Sequence, residues 1–218
     1  MKKTLKWRIA QKLERLWWKR YLHKQSPEEY SAWKNAYWEK LYGNFAIEID
    51  LKPNALITDL GCGTAGIYTI FKNYKVVAVD PLIDTYEQDL HVFDKQHYQN
   101  TTFVNSTIEE FNHPEKFDLI CCLNAINHVS NLELAFKKLT DLSKPGTYCL
   151  LSIDAHNSNF LKHLFRAVPG DALHPHQHDL KEYQAMMKHV GFEIVETKLY
   201  KKHPIFNYYL ILGKMPNT

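Results

Sequence analysis

Two acids and three glycines carry the first chemical signal in this chain. Asp59-Leu60-Gly61-Cys62-Gly63-Thr64-Ala65-Gly66 satisfies the G-x-G-x-x-G spacing, and Asp80 stands 19 residues past Gly61. Glycines at this spacing let the backbone turn sharply and approach a ligand that a Cβ would push away. A carboxylate at the tip of the next parallel strand accepts both hydroxyls of a ribose. Together they point to a cofactor built on a nucleoside. Asp59 lies two residues before the first glycine, where a nicotinamide site usually carries an apolar residue. An acid there suits a cofactor with a positively charged amino group.

A second set of residues could move protons. His128 follows the apolar run Phe117 to Leu123, and Asp154 and His156 follow the run 147–153. Histidine changes charge near neutral pH and is the natural proton carrier in such a set. His128 has a second reading, as the residue that orders its loop before a helix capped by Ser130. His174-Pro175-His176-Gln177-His178-Asp179 is the densest polar cluster. Its H-x-H-x-H-D pattern could face a metal, but no cysteine or further spaced ligand supports one, and no metal is expected. The cluster reads instead as a loop, or as a contact to substrate, with Asp179 capping the next helix.

These residues need elements to hold them. The spacing predicts a strand over 55–60, a helix over 64–73, a strand over 75–80 and a helix over 83–96. Strands over 101–105 and 117–123, a helix over 130–142 and a strand over 147–153 follow. Lys144-Pro145-Gly146 reads as a turn. A helix over 179–190 and two runs, 192–200 and 205–212, complete the chain. Near-continuous apolar strands separated by helices indicate a parallel sheet covered on both faces. The four-residue gap Lys201–Pro204 is short enough for a hairpin, so the last strand is expected to run antiparallel.

Ahead of the first strand, Leu5, Ile9, Leu13, Leu16 and Trp17 fall on one face of a helix over 4–24. Ser26-Pro27-Glu28-Glu29 then opens a second helix, carrying Tyr30, Trp33, Tyr37, Trp38 and Leu41 and stopping near Gly43. All five tryptophans lie in the first 38 residues. Residues 1–43 are therefore expected to form a helical extension or lid, and 44–218 the cofactor-binding domain.

The sequence is similar to the class I S-adenosylmethionine-dependent methyltransferases over roughly residues 44–213. The carriers are Asp59-Leu60-Gly61-Cys62-Gly63-Thr64, Val79-Asp80-Pro81, Phe117-Asp118-Leu119-Ile120 leading to Asn124 and His128, and Lys144-Pro145-Gly146. The resemblance implies a Rossmann-like, doubly wound sheet of seven strands, mostly parallel, with the last antiparallel. It implies that Asp59 and the loop residues Gly61, Cys62, Gly63 and Gly66 hold the methionine part of the cofactor. Asp80, with Pro81, would hold the ribose. Thr107 stands where the family commonly has an acid on the adenine amino group, Ile108 would pack on the adenine face, and Asn124 would complete the site. Residues after the fifth strand, Asp154 and His156, would face the acceptor. The implied reaction is methyl transfer to a small molecule, O-methylation ahead of N- or C-methylation, with S-adenosylhomocysteine as product.

Composition bounds the alternatives. At 218 residues and 45% apolar content the chain can bury a full core. The four cysteines form no C-x-x-C pair and read as small buried residues of a cytoplasmic protein. No apolar run is long enough to span a membrane, and no signal peptide is expected. The net charge of +3 is uneven: residues 1–24 hold nine Lys/Arg against one acid, and the remainder carries −5. A basic arm on an acidic body argues against a nucleic-acid partner. The arm remains open to three roles: a packing helix with a solvated face, contact with an anionic membrane surface, or self-association. Two other functions stay open on these residues: an NAD(P)-dependent oxidoreductase using the same glycines, and a lipid-associated cofactor-binding module.

Overall fold

The computed structural model describes residues 16, 18, 20–22, 25–158, 176 and 178–217. Most of the helix expected over 4–24, and His174, Pro175 and Gln177 of the histidine cluster, lie outside them.

Seven strands form one sheet in the order β3-β2-β1-β4-β5-β7-β6. The strands are β1 (Leu56–Leu60), β2 (Lys75–Val79), β3 (Thr101–Val104), β4 (Phe117–Cys122), β5 (Ser143–His156), β6 (Glu193–Lys201) and β7 (Phe206–Lys214). The first five pair in parallel, and β7 runs antiparallel to both β5 and β6. The helices are α1 (Pro27–Tyr42), α2 (Ile83–Asp89), α3 (Leu132–Asp141) and α4 (Leu180–His189). This is the Rossmann-like, doubly wound arrangement expected, with the antiparallel strand at the expected end.

Alternation along the strands splits the core in two. Ile57, Val76, Ala78, Leu119, Cys121, Leu150, Leu210 and Leu212 point to the face covered by α1, where they meet Tyr30, Trp38 and Leu41. Leu60, Val77, Val79, Ile120, Cys122, Cys149, Leu151 and Ile211 point to the other face, where α3 and α4 supply Phe136, Leu139, Tyr183 and Met187. The cysteines are free and buried, as their apolar settings suggested. Because side chains alternate with period two, the same parity carries Asp59, Asp80 and Asp154 to the α1 face. All three sit at the carboxyl ends of their strands.

The first crossover departs from expectation. No α-helix follows the glycine loop; residues 67–70 make a single 3₁₀ turn. The return to β2 explains it. Only eight residues separate Gly66 from Lys75, and as α-helix they would span about 12 Å. The five-residue β1 is roughly 16 Å long, so the segment must run partly extended. α1 supplies the missing cover: the Trp38 Nε1–H donates to the Ala65 carbonyl at 2.8 Å, and the Tyr42 and Phe71 rings meet edge to face.

α1 itself starts as its sequence directs. The Ser26 side chain accepts from the Glu29 N–H, Pro27 opens the helix, and Gly43 ends it. Three other boundaries shift. α2 ends at Asp89, and a separate 3₁₀ turn spans Lys95–His97 where the helix over 83–96 was expected to continue. α3 is capped by Asn131 and not by Ser130, whose N–H and hydroxyl go instead to Glu109 Oε1, at 2.8 Å each. Lys144-Pro145-Gly146 lies within β5 as a bulge, since Phe117 pairs with Ser143 and Leu119 with Tyr148.

Candidate functional site

The glycine loop is held from three sides. Gly61 and Gly63 have φ of +73° and +57°, the left-handed region that L side chains rarely adopt. The Gly61 and Cys62 N–H groups donate to the Val79 carbonyl at 2.7 and 3.1 Å, which fastens the loop to β2. A Cβ at Gly61 would lie 2.3 Å from Ala125 Cβ, so the loop after β4 rests directly on it. A Cβ at Gly66 would lie 2.2 Å from Asp59 Oδ2. Gly61 is required by the approach of Ala125, and Gly66 by that of Asp59 and the Cys62 backbone. Gly63 differs: a Cβ there meets nothing nearer than the Trp18 ring at 3.9 Å, so its backbone is open to approach.

Asp80 sits at the tip of β2. Its two oxygens accept the Gly63 N–H at 3.0 Å and the Leu82 N–H at 2.8 Å. The carboxylate is thereby aimed across the loop it helps to shape. Asp59 is 2% exposed and accepts the Tyr68 N–H at 3.2 Å. Burial pushes its carboxyl up to about 7, against the opposing pull of the Tyr68 N–H and of Lys34. Lys34, on α1, is pushed the other way, down to about 8, again by burial, with Asp59 favouring its charged form. Its ammonium lies over the Trp38 ring, 4.8 Å from the centroid, with Trp33 and Tyr37 further out. Both charges are poorly solvated here, so a ligand bringing the complementary charges would be strongly favoured.

One stripe of α1 makes these contacts. The Tyr30 hydroxyl meets the Thr64 hydroxyl at 2.8 Å, Lys34 faces Asp59, and Tyr37 comes beside Asn124 and Tyr208. The spacing 30, 34, 37, 41 is one helical face. It lies across the carboxyl edge of the sheet from β1 to β7. Trp33 lies at the edge of this face and is 53% exposed, so the expected aromatic stripe admits a lysine beside it.

The remaining expected residues fall as follows. Cys62 is buried, and burial holds its thiol well above the ordinary range, so it is no nucleophile. Pro81 follows Asp80 before α2. Ile108 is buried beside Leu60 and Val79, and the Thr107 hydroxyl donates to Glu110 at 3.4 Å. Asn124 adopts a left-handed φ of 54°, and its N–H donates to the Ser152 hydroxyl at 2.7 Å. Asp154 stands opposite Tyr208 in the β5–β7 register. His156 is buried with its ring 4.4 Å from that of Phe206, and its N–H donates to the His178 carbonyl. His128 is exposed at the end of a 3₁₀ turn. Of the described residues of the histidine cluster, His176 Nε2 lies 2.7 Å from the Val129 carbonyl, the His176 and His178 rings stack with centroids 6.5 Å apart, and Asp179 caps α4 in a capping box with Glu182. Lys34 and Tyr208 have no distinguishing mark in the sequence, and Tyr37 stands out there only as a member of the aromatic stripe of α1.

A doubly wound sheet with a glycine loop at the tip of β1 and an acid at the tip of β2 defines a nucleoside-cofactor-binding domain. The chain belongs to the methyltransferase domain family, whose pattern matches residues 22–197, and is a methyltransferase. That sets the oxidoreductase reading aside. It is 26% identical over 204 residues to the ubiquinone biosynthesis O-methyltransferase of Rickettsia bellii (strain OSU 85-389), spanning 86% of this chain and 81% of that protein. It is 29% identical over 127 residues to N-methyltransferase 4 of Papaver somniferum, spanning 56% of this chain and 35% of that protein. Among solved structures, an S-adenosylmethionine-dependent methyltransferase from Clostridium acetobutylicum superposes with a TM-score of 0.65 at 15% identity. The match spans 95% of this chain and 99% of that one.

Proposed function

We propose that this chain transfers a methyl group from S-adenosylmethionine to a hydroxyl of a small molecule. The observation that carries the reading is the row of acids Asp80, Asp59 and Asp154 on one sheet face, beneath one stripe of α1. The residues present fit the cofactor. Gly63 leaves its backbone open where a Cβ would intrude, and Asp59 and Lys34 offer opposite charges to a zwitterionic amino-acid end. Asp80, beside Pro81, would accept the ribose hydroxyls, with Ile108 and Thr107 at the adenine. S-adenosylmethionine, when bound, supplies an electrophilic methyl group on a sulfonium sulfur.

The protein's part is alignment, exclusion of water and management of one proton. α1 closes over the carboxyl edge through Tyr30, Trp38 and Leu41, all buried, which keeps water from the reacting centre. Asn124, fixed by its N–H to Ser152, borders both the glycine loop and the acceptor side. A hydroxyl must lose its proton as it is methylated, and Asp154 is the carboxylate on that side of the loop. His128 and His156 remain secondary candidates, since one is exposed and the other packs on Phe206. Relatives named for O-methylation support the oxygen acceptor, and the poppy N-methyltransferase makes nitrogen the alternative to test. Incubation with methyl-labelled S-adenosylmethionine and a panel of small phenols, alcohols and amines decides. Labelled methyl ethers are expected, and label found only in methylamines would overturn the reading.

A further inference from the structure

The acceptor side of this edge is more specific than the methyl-transfer reading requires. Asp154 and Tyr208 face each other across β5 and β7, on the sheet face that α1 covers. Ser152 shares that face, two residues before Asp154. From above, Tyr37 of α1 comes down beside Tyr208 and Asn124. Tyr200 of β6 closes the far side, its ring 6.3 Å from Tyr37 at 88° and 5.9 Å from Tyr208 at 67°. The near side is the glycine loop itself, because Ala125, next to Asn124, packs on Gly61. One polar atom there is unanswered: the Tyr208 hydroxyl is shut from solvent with Ser152 and Tyr37 beside it, yet it makes no hydrogen bond of good geometry. A buried hydroxyl left without a partner costs free energy and calls for an explanation, and an absent ligand is one.

We propose that Tyr37, Tyr208, Asn124 and Asp154 form the acceptor subsite, and that its ligand is a flat ring bearing a neutral hydroxyl. The proposal rests on the methyl-transfer reading and deepens it. Tyr37, Tyr200 and Tyr208 meet ring to ring and form an aromatic wall on which another ring can pack. Burial raises the Tyr37 and Tyr208 hydroxyls, so both stay protonated and act as donors. A ligand hydroxyl answers both kinds of group at once, donating to Asp154 and accepting from Tyr208. An ammonium only donates, and gives the Tyr208 O–H no acceptor. A carboxylate or phosphate would meet Asp154 as a like charge.

Three probes of similar size separate these cases: catechol, benzylamine and benzoate, each added to the full chain saturated with S-adenosylhomocysteine. Saturation-transfer NMR reads their binding, and calorimetry reads the affinity for S-adenosylhomocysteine. Catechol is expected to bind in preference to the other two. Tyr208→Phe removes one neutral hydrogen bond and should weaken catechol roughly 3- to 10-fold, and Asp154→Asn, which removes a charged one, about 10-fold or more. Neither change should move the affinity for S-adenosylhomocysteine. Catechol that binds both variants as well as wild type, or that binds less well than benzylamine or benzoate, would overturn the subsite. If wild type does not bind S-adenosylhomocysteine at all, the methyltransferase reading beneath it fails instead.

Discussion

Asp59 gives a prediction whose sign and size both follow from its burial. Its carboxyl is raised from 3.8 to about 7 because burial outweighs the Tyr68 N–H and the Lys34 charge. Between those values the folded protein holds a proton that the unfolded chain has released. The stability this contributes is therefore complete below pH 3.8 and is lost as pH rises to about 7. Two units of that window lie above pH 5, and at about 1.4 kcal/mol per unit the loss from pH 5 to pH 8 is roughly 3 kcal/mol. Asp59→Asn cannot ionise and escapes the loss. Lys34 acts in the same direction, because without Asp59 its pKa falls below about 8 and its buried charge is more easily shed. Urea unfolding of both proteins at pH 5 and pH 8 makes the comparison, and taking the difference cancels groups they share. Asp59→Asn should gain on wild type by roughly 2–3 kcal/mol over that range, while losing affinity for S-adenosylhomocysteine. A difference that stays constant with pH, or that grows in favour of wild type, would refute the assignment of Asp59 as a buried, poorly solvated acid.

Other substitutions test the packing of the loop. Gly61→Ala places a Cβ 2.3 Å from Ala125 Cβ in a left-handed conformation, and should cost about 2–5 kcal/mol in chemical unfolding. Lys34→Met should weaken S-adenosylhomocysteine about 10-fold or more in calorimetry, as expected for a lost charged contact. Trp38→Phe removes the bond to the Ala65 carbonyl and should cost on the order of 1 kcal/mol. That loss is read by thermal unfolding.

The sheet was legible because each strand is an apolar run of the right length, and because the acids at the strand tips mark where each run ends. Asp59 and Asp80 could be read as a pair for the same reason. The helix expected after the loop is absent although Ile67, Ile70 and Phe71 have helical spacing, because the distance back to β2 forbids it. Lys34 was hidden for a different reason. A lysine in a helix next to Trp33 looks like part of a solvated face, and only the crossing of α1 over β1 buries it. Tyr208 and Asp154 are 54 residues apart, and their pairing depends on the register of an antiparallel strand that returns from the far edge. The N-cap of α3 was displaced by one residue because Glu109, distant in sequence, takes the Ser130 groups.

The central claim is that the loop from Asp59 to Gly66, with Asp80 beyond it, holds S-adenosylmethionine. Calorimetric titration of S-adenosylhomocysteine into wild type and Asp80→Ala tests it most directly. Wild type is expected to bind saturably and one to one, with binding weakened about 10-fold or more in Asp80→Ala, as expected when charge-assisted hydrogen bonds to the ribose are lost. No binding by wild type, or equal binding by the two proteins, would contradict it.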